Sequence, residues 1–320
     1  MPNRLFRWGN FPSAGAAAAY NYYVCSQAGN VGVLRSLDGG TSWARNNTGY
    51  YAWCIFFHPV TGDVYVGGYD IRRSQDNGQS WTQVLAYRHP WQIMYNPSDG
   101  YMYAFLAEAE SAAANIFRST NGTSWARFEA NPSVLYSYMY MMDATTGLVL
   151  VASGDGLVVT ENDFSSVTVF DTGDGIPNNK VRCARKIGSN WWVATHGGGV
   201  AKSSNSGASW TTYTNAGDGI GNDNCIWLSH NPKSGRIFLT NASGVYITDD
   251  DGDNWSESLS LGLAVSYRCN ALDGHVLLGH INHVYYSQDD GDNWTTVAAN
   301  ATYGTQFHRC SVISSVALSV

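Results

Sequence analysis

Carboxylates held in two matched turns are the first residues here with chemistry to offer. Asp174 lies in Thr172-Gly173-Asp174-Gly175-Ile176 and Asp218 in Ala216-Gly217-Asp218-Gly219-Ile220. Asp70 and Asp155 sit in further Gly-containing turns. Two carboxylates can cleave a glycosidic bond, one protonating the leaving oxygen while the other attacks or activates water. They must then lie roughly 5–5.5 Å or 6.5–9.5 Å apart. Asp-Gly is also above all a turn pair, so solvated turns are the plainer use of these residues. Arg182, Arg268 and Arg309 each precede a Cys, and a guanidinium fork suits either a carboxylate or a loop carbonyl. His280-Ile281-Asn282-His283 and His196 offer imidazoles. No third ligand stands at helical or hairpin spacing and there is no Cys-x-x-Cys, so no metal is expected. Nucleophile elbow, phosphate loop and dinucleotide fingerprint are all missing, and no cofactor is expected.

The elements that must carry these residues are short strands. Of 320 residues 13% are charged, 13% are aromatic and 34 are Gly, a charge-poor and turn-rich balance. The 44% of hydrophobic residues is enough for a sizeable core and excludes the composition of disordered chains. No apolar run approaches the ~18 residues of a membrane span, and the small run at 16–19 is too slight for a signal-peptide core. The net charge of −7 includes only four Lys, so the basic stripe that nucleic-acid binding needs is missing.

A repeat organises the chain. The string S/T-x-D/N-x-G-x-x-W occurs as Ser36, Asp38, Gly40, Trp43; as Ser74, Asp76, Gly78, Trp81; and as Ser203, Asn205, Gly207, Trp210. It returns as Thr248, Asp250, Gly252, Trp255 and as Ser287, Asp289, Gly291, Trp294. A copy one residue shorter runs Ser119, Asn121, Gly122, Trp125, and Thr160-Glu161-Asn162 is a decayed one. The seven starts are 38 to 45 residues apart, the period of four-stranded propeller blades. Physically the string is a turn: the Asx side chain accepts backbone N–H groups, the Gly takes positive φ, and the Trp plugs the gap between sheets. Each string joins a third strand to an outer one, as at 71–73 and 80–84, after an inner strand at 53–57 and a second at 64–66.

These strings resemble the Asp-box, or bacterial neuraminidase repeat, propellers, a superfamily that includes sialidases, xyloglucanases and sortilin-type receptors. The resemblance runs from about residue 18 to 300 and implies fold, since its members share the boxes and not the chemistry. The expected architecture is all-β: seven four-stranded antiparallel blades at 18–48 plus 308–320, 49–89, 90–130, 131–170, 177–214, 221–259 and 263–300. Residues 1–14 stand outside as an N-terminal arm. The strand-like run after the last blade is expected to supply the inner strand of the first, closing the ring and removing exposed edges. Five of the six Cys (Cys54, Cys183, Cys225, Cys269, Cys310) are expected at one blade position as buried thiols, with Cys25–Cys310 as the best disulfide candidate.

The resemblance also implies that the box turns share one face and that ligands meet the other. That face would collect Tyr50, Tyr51, Asp70, Arg88, His89, Glu108, Glu110, Asp155, Asp174, His196, Asp218, Asp223, His280 and His283. Arg182, Arg268 and Arg309 would approach its centre, as the three Arg that hold a sialidase's substrate carboxylate do. The Tyr–Glu nucleophile pair and the usual Arg-Ile-Pro opening of sialidases are not found. Trp53, Trp91 and Trp227 are expected in the core, leaving Tyr50, Tyr51, Tyr69, Tyr87 and Trp8 as contact residues. The expected function is a non-enzymatic binding or assembly propeller, a bacteriophage virion component contacting other virion proteins or host glycans, placed on a virion or outside the cell. The alternatives are an Asp-box glycoside hydrolase and a secreted lectin-like or receptor propeller.

Overall fold

The computed structural model describes residues 20–26, 32–46, 52–86, 89–106, 116–128, 137–143, 146–161, 164, 166–261, 266–272, 274–280, 283–298 and 307–314, with 266–272 and 307–314 described by backbone alone. These form seven four-stranded antiparallel sheets, the blades of a β-propeller. Blade 1 is Phe307–Ser314, Tyr20–Ser26, Val33–Ser36 and Ala44–Asn46, in sheet order. Blade 2 is Ala52–Phe57, Val64–Gly68, Ile71–Ser74 and Thr82–Leu85; blade 3 is Pro90–Asn96, Tyr101–Leu106, Ile116–Ser119 and Ala126–Phe128. Blade 4 is Ser137–Met142, Val149–Ser153, Leu157–Thr160 and Val167–Phe170; blade 5 is Val181–Ile187, Asn190–Thr195, Gly199–Ser203 and Thr211–Tyr213. Blade 6 is Cys225–His230, Ile237–Asn241, Gly244–Thr248 and Ser256–Ser260; blade 7 is Ser266–Leu272, His275–His280, His283–Ser287 and Thr295–Ala298.

The first strand of each blade touches the first strands of both neighbouring blades, all the way around. Closure comes from the two ends of the chain: Phe307–Ser314 pairs with Tyr20–Ser26, with Tyr22 opposite Val312 and Tyr20 opposite Ser314. Each blade is apolar where others cover it. The second strands Val64–Gly68, Val149–Ser153 and Ile237–Asn241 are buried throughout, so they are near-continuous apolar runs rather than alternating ones. The outer strand Ser256–Ser260 exposes Ser256, Glu257 and Ser260.

The repeated string is a turn in which the hydroxyl, the Asx side chain and the Gly bond to one another. In blade 6 the Thr248 hydroxyl donates to Asp250 Oδ1 (2.8 Å) and accepts from Gly252 N (2.9 Å), while Asp250 Oδ1 accepts from Asn254 N (2.9 Å). Blades 1, 2, 5 and 7 repeat the Ser-to-Gly bond at 2.8, 2.7, 2.8 and 2.9 Å. The residue before the Gly is itself left-handed: φ is 57° at Asn77, 56° at Ser206, 58° at Asp251 and 59° at Asp290. In some blades the Trp indole closes the turn, Trp43 Nε1 donating to Gly40 O (3.0 Å) and Trp294 Nε1 to Gly291 O (3.0 Å), whereas the indole nitrogens of Trp81, Trp210 and Trp255 have no partner among the described residues.

The box Gly also serves the joint between blades. A methyl added at Gly252 would lie 2.7 Å from Trp192 and 3.0 Å from Tyr213 of blade 5. At Gly207 it would lie 2.6 Å from Phe170 of blade 4, and at Gly291 2.8 Å from Phe238 of blade 6. Each turn thus lays bare backbone on an aromatic ring of the preceding blade, a close approach only Gly permits. Blade 4, whose string has decayed, solves the same joint differently. Phe164, at φ 52°, is fully buried and packs on Tyr103, Phe105 and Phe128 of blade 3 with ring centroids 5.8, 6.1 and 5.8 Å away.

Candidate ligand-binding mouth

Antiparallel pairing places the box turns at one end of every blade. At the other end lie the starts of the first strands and the hairpins joining second and third strands. That second end carries a shared irregularity. The register of the first strand slips between Ala52 and Cys54, Pro90 and Gln92, Ser137 and Met139, Val181 and Cys183, Cys225 and Trp227, and Ser266 and Arg268. Each slip leaves one extra residue: Trp53, Trp91, Tyr138, Arg182, Ile226 and Tyr267. In blade 1, Cys25 pairs with Arg309 and Ser26 with Phe307, leaving His308. A bulge re-aims the side chain it carries, and here every blade has its bulge in the first strand at the same rim.

Blades 2 and 3 build an aromatic cluster on this rim. The indoles of Trp53 and Trp91 stack at 6.1 Å and 30°. His89 meets Trp53 edge-on at 5.1 Å, and Tyr69 meets His89 at 5.3 Å and Trp53 at 5.9 Å. In blades 4 and 5 the Arg182 guanidinium lies 4.5 Å from the centre of the Tyr138 ring, a cation–π stack. Trp91 is 40% exposed, Tyr69 41% and Tyr138 39%. Among the described residues these are three of six exposed large hydrophobics, and all three fall on one rim in consecutive blades. Trp91, expected in the core, is therefore exposed and Trp53 beside it only half-buried, because both are bulged residues. Trp227, one position beyond its bulge, is buried as expected.

The same slips separate residues that sequence spacing aligns. Arg182 is a bulged residue, whereas Arg268 and Arg309 occupy the next register position, opposite Gly279 and Cys25. In blades 2, 4 and 5 that position holds the buried Cys54, Met139 and Cys183. The three Arg thus do not share one place in their blades. Nor do the five Cys: Cys54 and Cys183 follow the bulge directly, Cys225 precedes it, and Cys269 and Cys310 stand one residue further on. Cys183 joins blade 5 to blade 6 by accepting from Leu228 N (3.3 Å), and burial pushes the Cys225 thiol up. The register sets Cys310 opposite Val24, and its side chain lies outside the described residues.

The carboxylates singled out by sequence are engaged locally. Asp174 ends a 3-10 turn, Thr172–Asp174, where its Oδ2 accepts from Asp171 N (3.0 Å). Asp218 ends the short helix Asn215–Asp218, accepting from Thr214 N at 2.7 Å. Asp223 accepts from Asn215 N at 2.7 Å. Asp70 is buried and paired with Arg72 Nε (3.0 Å) and Gln83 Nε2 (2.8 Å). Asp155 is exposed in its hairpin and receives no side-chain partner among the described residues, its own N–H donating to Ser153 Oγ (3.2 Å). His196 is exposed and bridges by backbone to Asn224. His280 is 7% exposed with both ring nitrogens unpartnered among the described residues, 6.2 Å from the His283 ring. Burial and the neighbouring His283 hold its pKa below the usual value. Among the described residues no group of three His, Cys, Asp or Glu is placed to hold a metal ion, and no helix is long and apolar enough to cross a membrane. Tyr50, Tyr51, Tyr87, Arg88, Glu108, Glu110 and the arm at 1–14 lie outside the described residues, as do the side chains of Arg268 and Arg309.

No family model and no curated protein sequence matches the chain. Solved propellers do. YCF48 from Cyanidioschyzon merolae aligns at 12% identity and TM-score 0.55, over 79% of this chain and 85% of its own. YCF48 bound to a D1 peptide aligns at 11% and 0.57, over 94% and 91%. The GH74 xyloglucanase of Xanthomonas campestris aligns at 13% and 0.58, over 88% of this chain and 47% of its own, so this chain spans about half that enzyme. At these identities the likeness is one of fold: the chain is built as a β-propeller, in the company of propellers that bind and propellers that hydrolyse glycans.

Proposed function

We propose that this chain is a non-enzymatic binding propeller of the Asp-box kind that holds a glycan on the rim formed by Trp53, Tyr69, His89 and Trp91. The observation that carries this reading is the aromatic cluster itself. A soluble chain rarely keeps clustered large apolar rings in water unless they meet a ligand or partner. The faces of these rings are negative by quadrupole, and the C–H faces of a pyranose are their complement. Rigid rings also lose little conformational entropy on binding. A glycan is favoured over hydrolysis because Asp174, Asp218 and Asp70 each serve a turn or an ion pair. Among the structural neighbours one is a xyloglucanase and one is bound to a peptide, so glycan and protein are the two ligand classes to compare.

The test is a broad glycan array probed with the wild type and Trp91→Ala, with bound glycans checked for cleavage. Intact glycans bound by the wild type and lost in the variant are the expected result. A blank array, or binding indifferent to Trp91, would overturn it, and cleavage would restore the hydrolase. Placement on a virion or outside the cell belongs to the same proposal and rests on composition; mass spectrometry of purified particles tests it.

A further inference from the structure

The rim does not end at the two indoles. Passing around the axis, blades 2, 3, 4 and 5 present Trp53, Trp91, Tyr138 and Arg182 at one bulge position. Three aromatic rings are thus followed by a cation. What Arg182 lacks is as informative as what it has. In a chain of net charge −7, Arg72, Arg73 and Arg236 each hold a carboxylate, at 3.0, 2.6 and 2.7 Å. Arg185 gives its Nε to Leu228 O at 3.1 Å. Arg182 has no carboxylate or carbonyl partner among the described residues and rests only on the face of Tyr138, itself 39% exposed. Stacking fixes the plane of the guanidinium and leaves its N–H edge for a ligand, and that edge matches a carboxylate bidentately.

We propose that the ligand is an acidic oligosaccharide lying around the rim, with neutral pyranose faces on Trp53 and Trp91 and a carboxylate-bearing sugar at the Tyr138–Arg182 stack. This rests on the reading of the rim as a glycan site and adds its charge and its direction. An uncharged glycan would leave the Arg182 fork solvated and gain nothing from it. A sugar acid exchanges water for two charge-assisted hydrogen bonds. The contribution is weakened by salt, because the site is open.

The experiment prints uronate- and sialate-bearing oligosaccharides beside the same glycans after chemical reduction of their carboxyl groups. Wild type, Trp91→Ala, Arg182→Gln and Arg182→Lys are compared on them, with melting curves confirming that each variant is folded. The wild type is expected to prefer acidic glycans by about tenfold or more, the range of one charge-assisted contact. Arg182→Gln should bind the acidic and reduced forms alike, and Arg182→Lys should recover part of the preference. Trp91→Ala should weaken both forms. Equal wild-type binding to acidic and reduced glycans, or a preference surviving in Arg182→Gln, overturns the acidic assignment while leaving the glycan site standing. Binding to neither form removes both.

Discussion

The two rims of this propeller use opposite strategies. At the box-turn rim the chain repeats itself, bonds hydroxyl, Asx and Gly within a few residues and lays Gly backbone on the aromatic rings of the preceding blade. At the strand-start rim the blades share only a bulge, and the residue it turns outward changes from Trp to Tyr to Arg to Ile. One rim has little freedom because its Ser or Thr, Asx and Gly hold one another in place. The other varies in what its bulged residue does: Trp91 and Tyr138 are exposed, whereas Ile226 packs against the core. On the proposed function, stability and recognition separate along the axis, and substitutions at the two rims should then act on different measurements.

The largest effect should come from opening the ring. Removing 307–320 deletes the first strand of blade 1 and exposes the edges of Tyr20–Ser26 and of the neighbouring first strands. Exposed edges invite aggregation, so the truncated chain should melt many degrees lower by calorimetry or aggregate. An unchanged melting curve would mean that the C-terminal strand is dispensable.

Next in size is the close approach at the box glycines, which can be isolated by a pair of substitutions. Gly252 and Gly235 have φ of 97° and 82°, but an added methyl meets Trp192 at 2.7 Å in the first case and nothing within 4 Å in the second. Gly235→Ala should cost about 1 kcal/mol, the left-handed strain alone. Gly252→Ala adds overpacking and should cost about 3 kcal/mol. Equal losses in denaturant unfolding would show that the ring beneath Gly252 yields, and that the box Gly answers only to backbone conformation.

Smaller again is the hydroxyl at the head of the turn. Thr248→Ala strands the buried Gly252 N–H and should cost about 2 kcal/mol, whereas Thr248→Ser should cost less than about 1 kcal/mol. The turns also couple the fold to acid. Hydrogen bonds from the Asn254 side chain and backbone, then from Thr248, hold Asp250 down at about 2, and Ser80 holds Asp76 lower still. An unfolded Asp titrates near 3.9. A depressed native value means the unfolded chain binds the proton first, so this stabilisation is complete above about pH 4 and lost toward pH 2. Melting temperature should therefore fall over that interval, modestly because these carboxylates face solvent, and a flat profile would mean that the Asx bonds contribute little.

Much of the box-turn rim can be read from sequence because its physics is local. Ser or Thr, Asp or Asn, and Gly within five positions make the same hydrogen bonds wherever they occur, and the count of such strings yields the count of blades. What could not be read there is long-range. That Gly252 sits on Trp192 depends on how blades 5 and 6 dock, and that Phe164 replaces this contact in blade 4 follows from no motif. The strand-start rim was largely hidden for a related reason. A bulge adds one residue to an otherwise regular strand, and alternation read through it puts Trp53 and Trp91 on the wrong side. The clue available was their position, one residue into the strand, where Tyr138 and Arg182 recur in the next two blades.

The smallest expected change in stability is at that rim, and it is the most discriminating measurement of the difference between the two. Trp91 is 40% exposed and its ring stacks on Trp53 at the rim. Truncating a surface residue away from caps, cores and strained backbone moves stability by about 0.5 kcal/mol or less. For a chain of this size that is a shift of about 1–2 °C. Trp192, buried at the joint between blades 5 and 6, should cost about 3–5 kcal/mol on the same change to Ala. If Trp91→Ala melts like the wild type yet loses glycan, the outward Trp is kept for its ligand. If it destabilises as Trp192→Ala does, the bulged residues are part of the packing after all, and the separation between the rims fails.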